Sequence, residues 1–306
     1  MNKIKITKLA TLTGHKDCIY TLEKADKDNV FFSGDGDGMV VAWDFKNPDT
    51  GKLIAKTDAS VYALHYMPGL NYLIVGENFA GLHIIDLKEN KEIKFIRITS
   101  AAIFDIKVFE NVIFVATGDG EVILVNKNDF SLLNKIKLSE KSARAIAICQ
   151  QKEEFAVGYS DNHIRIFDLK DHTLKQTISA HDNSVFTIVY SPDGKYLLSG
   201  GRDAHIKVWD VPGNYKLFND IVAHMYTINH ITYRPDGKYF LTSSMDKSIK
   251  VWDADKFKLL KVIDKSRHAG HGTSVNKLYW SKHKEQVASC SDDKTISIWK
   301  IAFGRL

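Results

Sequence analysis

Residues 185–210 read VFTIVYSPDGKYLLSGGRDAHIKVWD. Three apolar runs, VFTIVY, KYLLSGG and HIKVWD, are separated by the polar stretches SPDG and RDA. Short runs of alternating or continuous apolar and β-branched residues, bounded by Pro, Asp and Gly, are strand signals, and Asp193-Gly194 marks a tight hairpin turn. Pro235-Asp236-Gly237 sets the same turn one unit further on. With YKLFNDIV following, the stretch predicts four short antiparallel strands.

The unit recurs along the whole chain. Strands that end in an apolar residue followed by a polar one close at Trp43-Asp44, Ile85-Asp86, Val125-Asn126, Phe167-Asp168, Trp209-Asp210, Trp252-Asp253 and Trp299-Lys300. The steps between them are 42, 40, 42, 42, 43 and 47 residues. A period of this length belongs to stacked supersecondary units. One four-stranded sheet cannot bury both of its faces, whereas seven stacked sheets can, leaving only short edges. The expected fold is therefore all-β: a seven-bladed β-propeller with four antiparallel strands per blade and repeats ending near 44, 86, 126, 168, 210, 253 and 300.

The last three units resemble the WD-repeat family over their whole length. Ala180-His181, Ala223-His224 and Gly270-His271 precede the first strand, and Asp203, Asp246 and Asp293 lie six residues before Trp209, Trp252 and Trp299. The first unit matches with Gly14-His15, Asp37 and Trp43, and the resemblance extends over residues 4–303. It implies that the N-terminal strand Ile4 to Leu12 closes the last blade, because Lys300 to Leu306 are too few to supply its outermost strand. One domain over 1–306 is expected, with its termini close together and no second domain.

A recurring His, Asp, Ser or Thr, and Trp invites a catalytic reading. The resemblance implies instead a buried hydrogen-bond network that ties the loop before the first strand to the blade. Its members would be His15, Asp37 and Trp43; His181, Ser199, Asp203 and Trp209; His224, Thr242, Asp246 and Trp252; and His271, Ser289, Asp293 and Trp299. Indole, hydroxyl, imidazole and carboxylate can satisfy one another without water. The middle units depart from the pattern: Phe79 and Ile85 replace Asp and Trp in the second, Val125 follows Asp119 in the third, and Phe167 follows Asp161 in the fourth. None of the three carries a Gly-His, so blades 2 to 4 are expected to rely on apolar packing alone and to open more easily.

The resemblance also places the residue after the buried start of each innermost strand at the mouth of the central channel. Counting back from the signature positions gives Tyr20, Tyr62, Phe104, Arg144, Phe186, Asn229 and Asn276. The residues preceding the signature Asp share that face: Gly36, Asn78, Gly118, Ser160, Arg202, Met245 and Asp292. Aromatics and Arg dominate binding hot spots. Arg144 and Arg202, in adjacent blades, suit an acidic or phosphorylated peptide. The extra length of the last step falls at Lys265–Thr273, where Arg267 and His268 would extend the surface.

Enzyme signatures are missing: there is no G-x-S-x-G, no G-x-x-x-x-G-K-[ST] and no H-E-x-x-H. Gly34-Asp35-Gly36-Asp37-Gly38 lacks the third acidic or amide residue of a calcium loop, since position 39 is Met. His268, His271 and His283 are not read as a metal site, because His271 already belongs to the network. Neither cofactor nor metal is expected. The function read from the sequence is a non-catalytic protein-interaction scaffold binding a protein or peptide at the channel mouth. The alternatives are a propeller enzyme and a permanent structural subunit of a larger complex.

Composition sets the remaining bounds. The net charge of +5 comes from 42 Lys and Arg against 37 Asp and Glu, with no basic block that would indicate direct nucleic-acid binding. Cys18, Cys149 and Cys290 form no CxxC pair, which points to reduced thiols and a cytoplasmic location. Met1 to Thr13 alternates polar and apolar residues, unlike a signal peptide, and no apolar run approaches the ~20 residues of a membrane span. A monomer is expected.

Overall fold

Hairpin follows hairpin along the chain, so that six of the seven sheets have their four strands in sequence order. A computed structural model describes residues 4–304; residues 1–3 and 305–306, which the sequence reading included in its domain, lie outside the described ones. The fold is a seven-bladed β-propeller of four-stranded antiparallel sheets. In blade 5 the strands are Val185–Tyr190, Tyr196–Gly201, His205–Asp210 and Lys216–Val222. The turn after the first of them is built as its sequence requires: Ser191 Oγ donates to Asp193 Oδ1 at 2.6 Å, and Gly194 takes a left-handed φ of 69°. Blade 7 takes Val275–Trp280, Gln286–Ser291 and Ile296–Phe303 from the end of the chain and Ile4–Leu12 from its beginning. Ile4 pairs with Phe303 and Leu12 with Ile296, with one register shift between Lys8 and Ala10.

Contacts divide the chain into two compact units. The first comprises Met1–Val75, Ile84–Lys94 and Thr232–Leu306; the second comprises Gly76–His83 and Phe95–Ile231. In the first unit, Leu12, Ile19, Phe31 and Trp43 are buried together with Ala288 and Ile298, joining blades 1 and 7 in one apolar cluster. In the second, Phe114 and Phe155 pack at 4.9 Å, and Phe155 stacks on Phe167 at 4.8 Å and 11°. Phe167 thus fills the position that Trp takes in other blades, with no polar atom to satisfy.

Close approach between blades explains two glycines. A Cβ on Gly158 would lie 2.8 Å from Val185, and one on Gly200 would lie 2.7 Å from Ile228. Val185 and Ile228 are the completely buried first residues of the next innermost strands. Side chains on these second strands would hold the blades apart, so glycine here serves packing.

Candidate functional site

The polar residues of blades 1, 5 and 7 form a relay. In blade 5, Trp209 donates its indole N–H to Ser199 Oγ at 2.9 Å, Ser199 Oγ lies 2.7 Å from His181 Nε2, and His181 Nδ1 lies 3.0 Å from Asp203. In blade 7 the same chain runs Trp299, Ser289, His271 and Asp293 at 2.8, 2.8 and 2.9 Å. An imidazole protonated on Nδ1 satisfies every group in the chain. Burial pushes the Asp203 carboxyl up, but the hydrogen bond and charge of His181, with the N–H groups of Asp182 and His205, outweigh it and hold the group at about 2. Asp293 is held below the carboxylate range in the same way. In blade 6, Trp252 donates to Thr242 Oγ1 at 3.0 Å, and Asp246 accepts from the Ser248 N–H and hydroxyl at 3.0 and 2.6 Å. His224 is buried.

Blade 1 differs from the sequence reading in one member. His15 Nδ1 lies 2.6 Å from Asp35 Oδ2, not from Asp37, while its Nε2 meets Ser33 Oγ at 2.7 Å and Trp43 donates to Ser33 at 2.8 Å. Asp37 sits half-exposed beside Lys56 at 3.7 Å. The cause is the residue that ends the second strand. In blade 5 that residue is Gly201, and a Cβ there would fall 2.6 Å from both Asp203 and His181. Asp203 reaches back into the space that glycine leaves. In blade 1, Asp35 occupies the glycine's position, puts its own carboxylate into the space, and displaces the later Asp37 towards solvent.

The same position governs the middle blades, which are not held by apolar packing alone. Glu77 in blade 2 lies 2.9 Å from His83 Nε2. Thr117 in blade 3 donates to Asp119 at 2.5 Å. In blade 4, Arg165 pairs with Asp161 at 2.8 Å and lies over the Tyr159 ring at 4.5 Å. Glu77, His83, Tyr159 and Arg165 were missed because no spacing rule singles them out. An acidic or bulky residue two places before the signature position was the available signal.

At the start of the innermost strands the backbone selects a second set of residues. In blades 1, 3, 4, 5 and 7 the pairing of first and second strands skips one residue, and those residues are Tyr20, Phe104, Arg144, Phe186 and Asn276. A bulged residue leaves the ladder and its side chain is re-aimed. Each follows a completely buried residue, namely Ile19, Ile103, Ala143, Val185 and Val275. Tyr62 and Asn229 hold the same strand position in blades 2 and 6, after the buried Val61 and Ile228.

Within the first unit, Tyr20 and Tyr62 meet edge to face at 4.5 Å. Asn276 donates to Ile19 O at 2.9 Å and to Asp292 at 2.7 Å. Burial, with the neighbouring Cys18 and Tyr62, raises the Tyr20 hydroxyl further above its ordinary value. Within the second unit, the Arg144 guanidinium is held between two rings, 4.2 Å from the Phe104 centroid and 4.2 Å from the Phe186 centroid. All three side chains are partly exposed, and Arg202 is exposed. Around them Ser142 Oγ donates to Gly118 O at 2.9 Å, and Asn78 Oδ1 accepts from the Ile103 N–H at 2.8 Å.

The insertion before blade 7 is ordered. Asp264 caps the short helix α1 (Lys265–His268), accepts from the Arg267 N–H at 2.9 Å and binds the Arg267 guanidinium, while Lys8 donates to Ala269 O at 2.8 Å. Arg267 is thus engaged within its own loop, and His268 lines a recess with Ile4, Lys5, Ile6 and Lys261. Among the described residues no helix is long and apolar enough to cross a membrane, and no group of three His, Cys, Asp or Glu side chains could hold a metal ion.

Comparison with known proteins gives two family matches. The family described as "WD domain, G-beta repeat" matches residues 6–44 and 262–300, the two stretches that end at Trp43-Asp44 and Trp299-Lys300. The family described as "Eukaryotic translation initiation factor eIF2A" matches residues 116–267. Among curated proteins, the chain is 24% identical over 212 residues to the 66 kDa stress protein of Physarum polycephalum, covering 67% of this chain and 34% of that one. It is 25% identical over 217 residues to Protein groucho of Drosophila melanogaster, covering 67% and 29%. It is 23% identical over 189 residues to U3 small nucleolar RNA-associated protein 21 of Saccharomyces cerevisiae, covering 60% and 20%. The chain therefore spans about a third or less of these relatives' length.

Proposed function

The chain belongs to the WD-repeat β-propeller family, and from that premise we propose that it is a non-catalytic scaffold whose seven repeats act as one domain and grip a protein or peptide partner. The observation that carries this reading is the stacking of Arg144 between Phe104 and Phe186. The two rings cover the faces of the guanidinium and fix the plane of its N–H edge. A fixed, partly desolvated guanidinium is preorganised for a planar anion and loses little entropy on binding. An acidic segment, carrying carboxylate or phosphate, is the partner chemistry this favours, with Arg202 adding charge in the next blade. The three thiols, Cys18, Cys149 and Cys290, are unpaired, which supports a cytoplasmic setting.

The test is affinity capture from native lysate with wild type, Arg144→Ala, Arg144→Lys and the Phe104→Ala, Phe186→Ala double variant, each first shown to melt as wild type does. A partner held by wild type and lost by all three variants supports the reading. Retention by Arg144→Lys would reduce the role of the guanidinium to simple charge. Equal capture by every variant would move the binding surface elsewhere. Repeating the capture after ribonuclease treatment separates a protein partner from one bridged by RNA.

A second reading, a permanent subunit of a larger complex, is favoured by one feature. Phe218, Val222, Met225 and Tyr226 follow closely in sequence and are 56%, 74%, 80% and 58% exposed. Apolar side chains this exposed over so short a stretch suit a lasting interface. Isolation from the native source as a monomer would remove this reading.

A further inference from the structure

Phe79 stands where the signature Asp belongs, six residues before Ile85, and the Arg144 stack does not include it. In the other six blades the left-handed residue of the turn after the second strand is the third one: Gly38, Gly120, Asn162, Ala204, Lys247 and Lys294. Blade 2 moves it one place earlier, onto Phe79, at a φ of 66°. A bulky side chain disfavours this conformation. The ring is 62% exposed, so little burial offsets the strain. Strain that packing does not repay calls for a functional explanation.

Two hydrogen bonds hold this turn to the start of blade 3. Phe79 donates its N–H to Ala101 O at 2.9 Å, and Asn78, which is 1% exposed, accepts the Ile103 N–H on Oδ1 at 2.8 Å. In blades 3 and 5 the turn donates to its own blade instead, Gly118 to Ala102 O at 2.8 Å and Arg202 to Ser184 O at 2.9 Å. Ile103 is followed by Phe104, one of the two rings that hold Arg144. Along these bonds the Phe79 Cα lies at most about 23 Å from the Arg144 guanidinium, the length of roughly seven extended residues. One peptide segment can therefore touch both.

We propose that Phe79 is a second anchor for the acidic segment held by Arg144, and that its ring takes an apolar side chain of that segment, within about six residues of the acidic one. This rests on the reading of Arg144 as an anion site. The occupant is apolar because the ring offers no polar atom, and aromatic side chains are enriched where partners bury apolar surface. It belongs to the same segment because the turn is bonded to the strand that carries Phe104. The two hydrogen bonds fix the turn before binding, so that contact with the ring costs little ordering. Apolar contact also adds affinity that salt does not screen, unlike the charged contact at Arg144.

The probes are Gly-rich peptides with a central Glu-Glu pair and, one to six residues from it, Leu, Ala or Lys. Binding is followed by the amide resonances of protein labelled with ¹⁵N-phenylalanine, of which Phe79→Asn removes and so assigns one. The best Leu peptide should shift the Phe79 resonance and bind wild type about fivefold or more tightly than its Ala counterpart. Asn accepts the left-handed backbone, so Phe79→Asn should abolish the Leu preference, keep the affinity for the Ala peptide, and melt as wild type does or about 1–4 °C higher. A variant that melts lower or fails to fold would make the ring a structural part and overturn the inference. The comparison of Leu with Ala on wild type needs no variant, and a Leu preference that survives Phe79→Asn, or a preference for Lys over Leu, overturns it equally. Arg144→Ala separates the two ways of failing. If it weakens every acidic peptide while Leu brings no gain at any position, the Arg144 reading stands and the Phe79 anchor falls. If it changes nothing, the Arg144 reading falls and the anchor falls with it.

Discussion

Asp35 and Asp37 lie two residues apart, yet one is fully buried against His15 and the other is half-exposed beside Lys56. Their substitutions should separate cleanly. Asp35→Ala removes the carboxylate end of the relay and strands the His15 N–H, at a cost of about 1–3 kcal/mol. Asp37→Ala removes a surface pair and should stay within about 0.5 kcal/mol. Urea unfolding measures both, and equal effects would mean that the Asp35 contact is not formed. Asp203 yields a pH prediction. Its folded-state pKa is lowered from 3.8 to about 2. A carboxyl lowered in the folded state stabilises the fold fully above its ordinary pKa, and that stability disappears as pH falls through the folded value. Wild type should therefore lose melting temperature between about pH 4 and pH 2 more steeply than Asp203→Asn. Parallel curves would exclude the ionised Asp203 as a source of stability.

At the scale of elements, the strand Ile4–Leu12 has the most to explain, because it is first in sequence and last in its sheet. It covers the completely buried Trp299, and its Leu12 joins the cluster of Phe31 and Trp43. Removing residues 1–12 should lower the melting temperature by several degrees, since each kcal/mol lost shifts a chain of this size by about 2–4 °C or less. Adding a synthetic peptide of residues 4–12 should restore it, because the register with Ile296–Phe303 needs no covalent link. A truncated protein that melts as wild type does would contradict the pairing. The innermost strands show how elements make a site. Their bulges release Phe104, Arg144 and Phe186 from the ladder, and the Arg144 stack is assembled from three strands at equivalent positions.

For the whole molecule, the relay of His, Ser, Trp and Asp is complete in blades 1, 5 and 7, while blades 2, 3 and 4 carry the local pairs Glu77–His83, Thr117–Asp119 and Asp161–Arg165. In blade 2 the turn also holds Phe79 at a left-handed φ of 66° with its ring 62% exposed. Native-state hydrogen exchange should accordingly be faster in the strands flanking Phe79 than in the matching strands of blade 5, and equal protection would deny the relay any part in local stability. The sequence by itself determined the seven repeats and the four-strand blade, because strand patterning and Asp-Gly turns are local signals repeated at a fixed period, and the family resemblance supplied the closing strand. The count back from the signature positions, which rests on the family resemblance and is two shorter in the third unit, singled out the residues that the structure skips in blades 1, 3, 4, 5 and 7. Only the tertiary structure decided that His15 takes Asp35, because the choice depends on the space left where blade 5 has Gly201. Only the structure put Arg144 between two rings and, among the described residues, left the buried Trp280 indole N–H without an acceptor. The Arg144 stack depends on side chains forty and forty-two residues apart in sequence, which no local signal brings together.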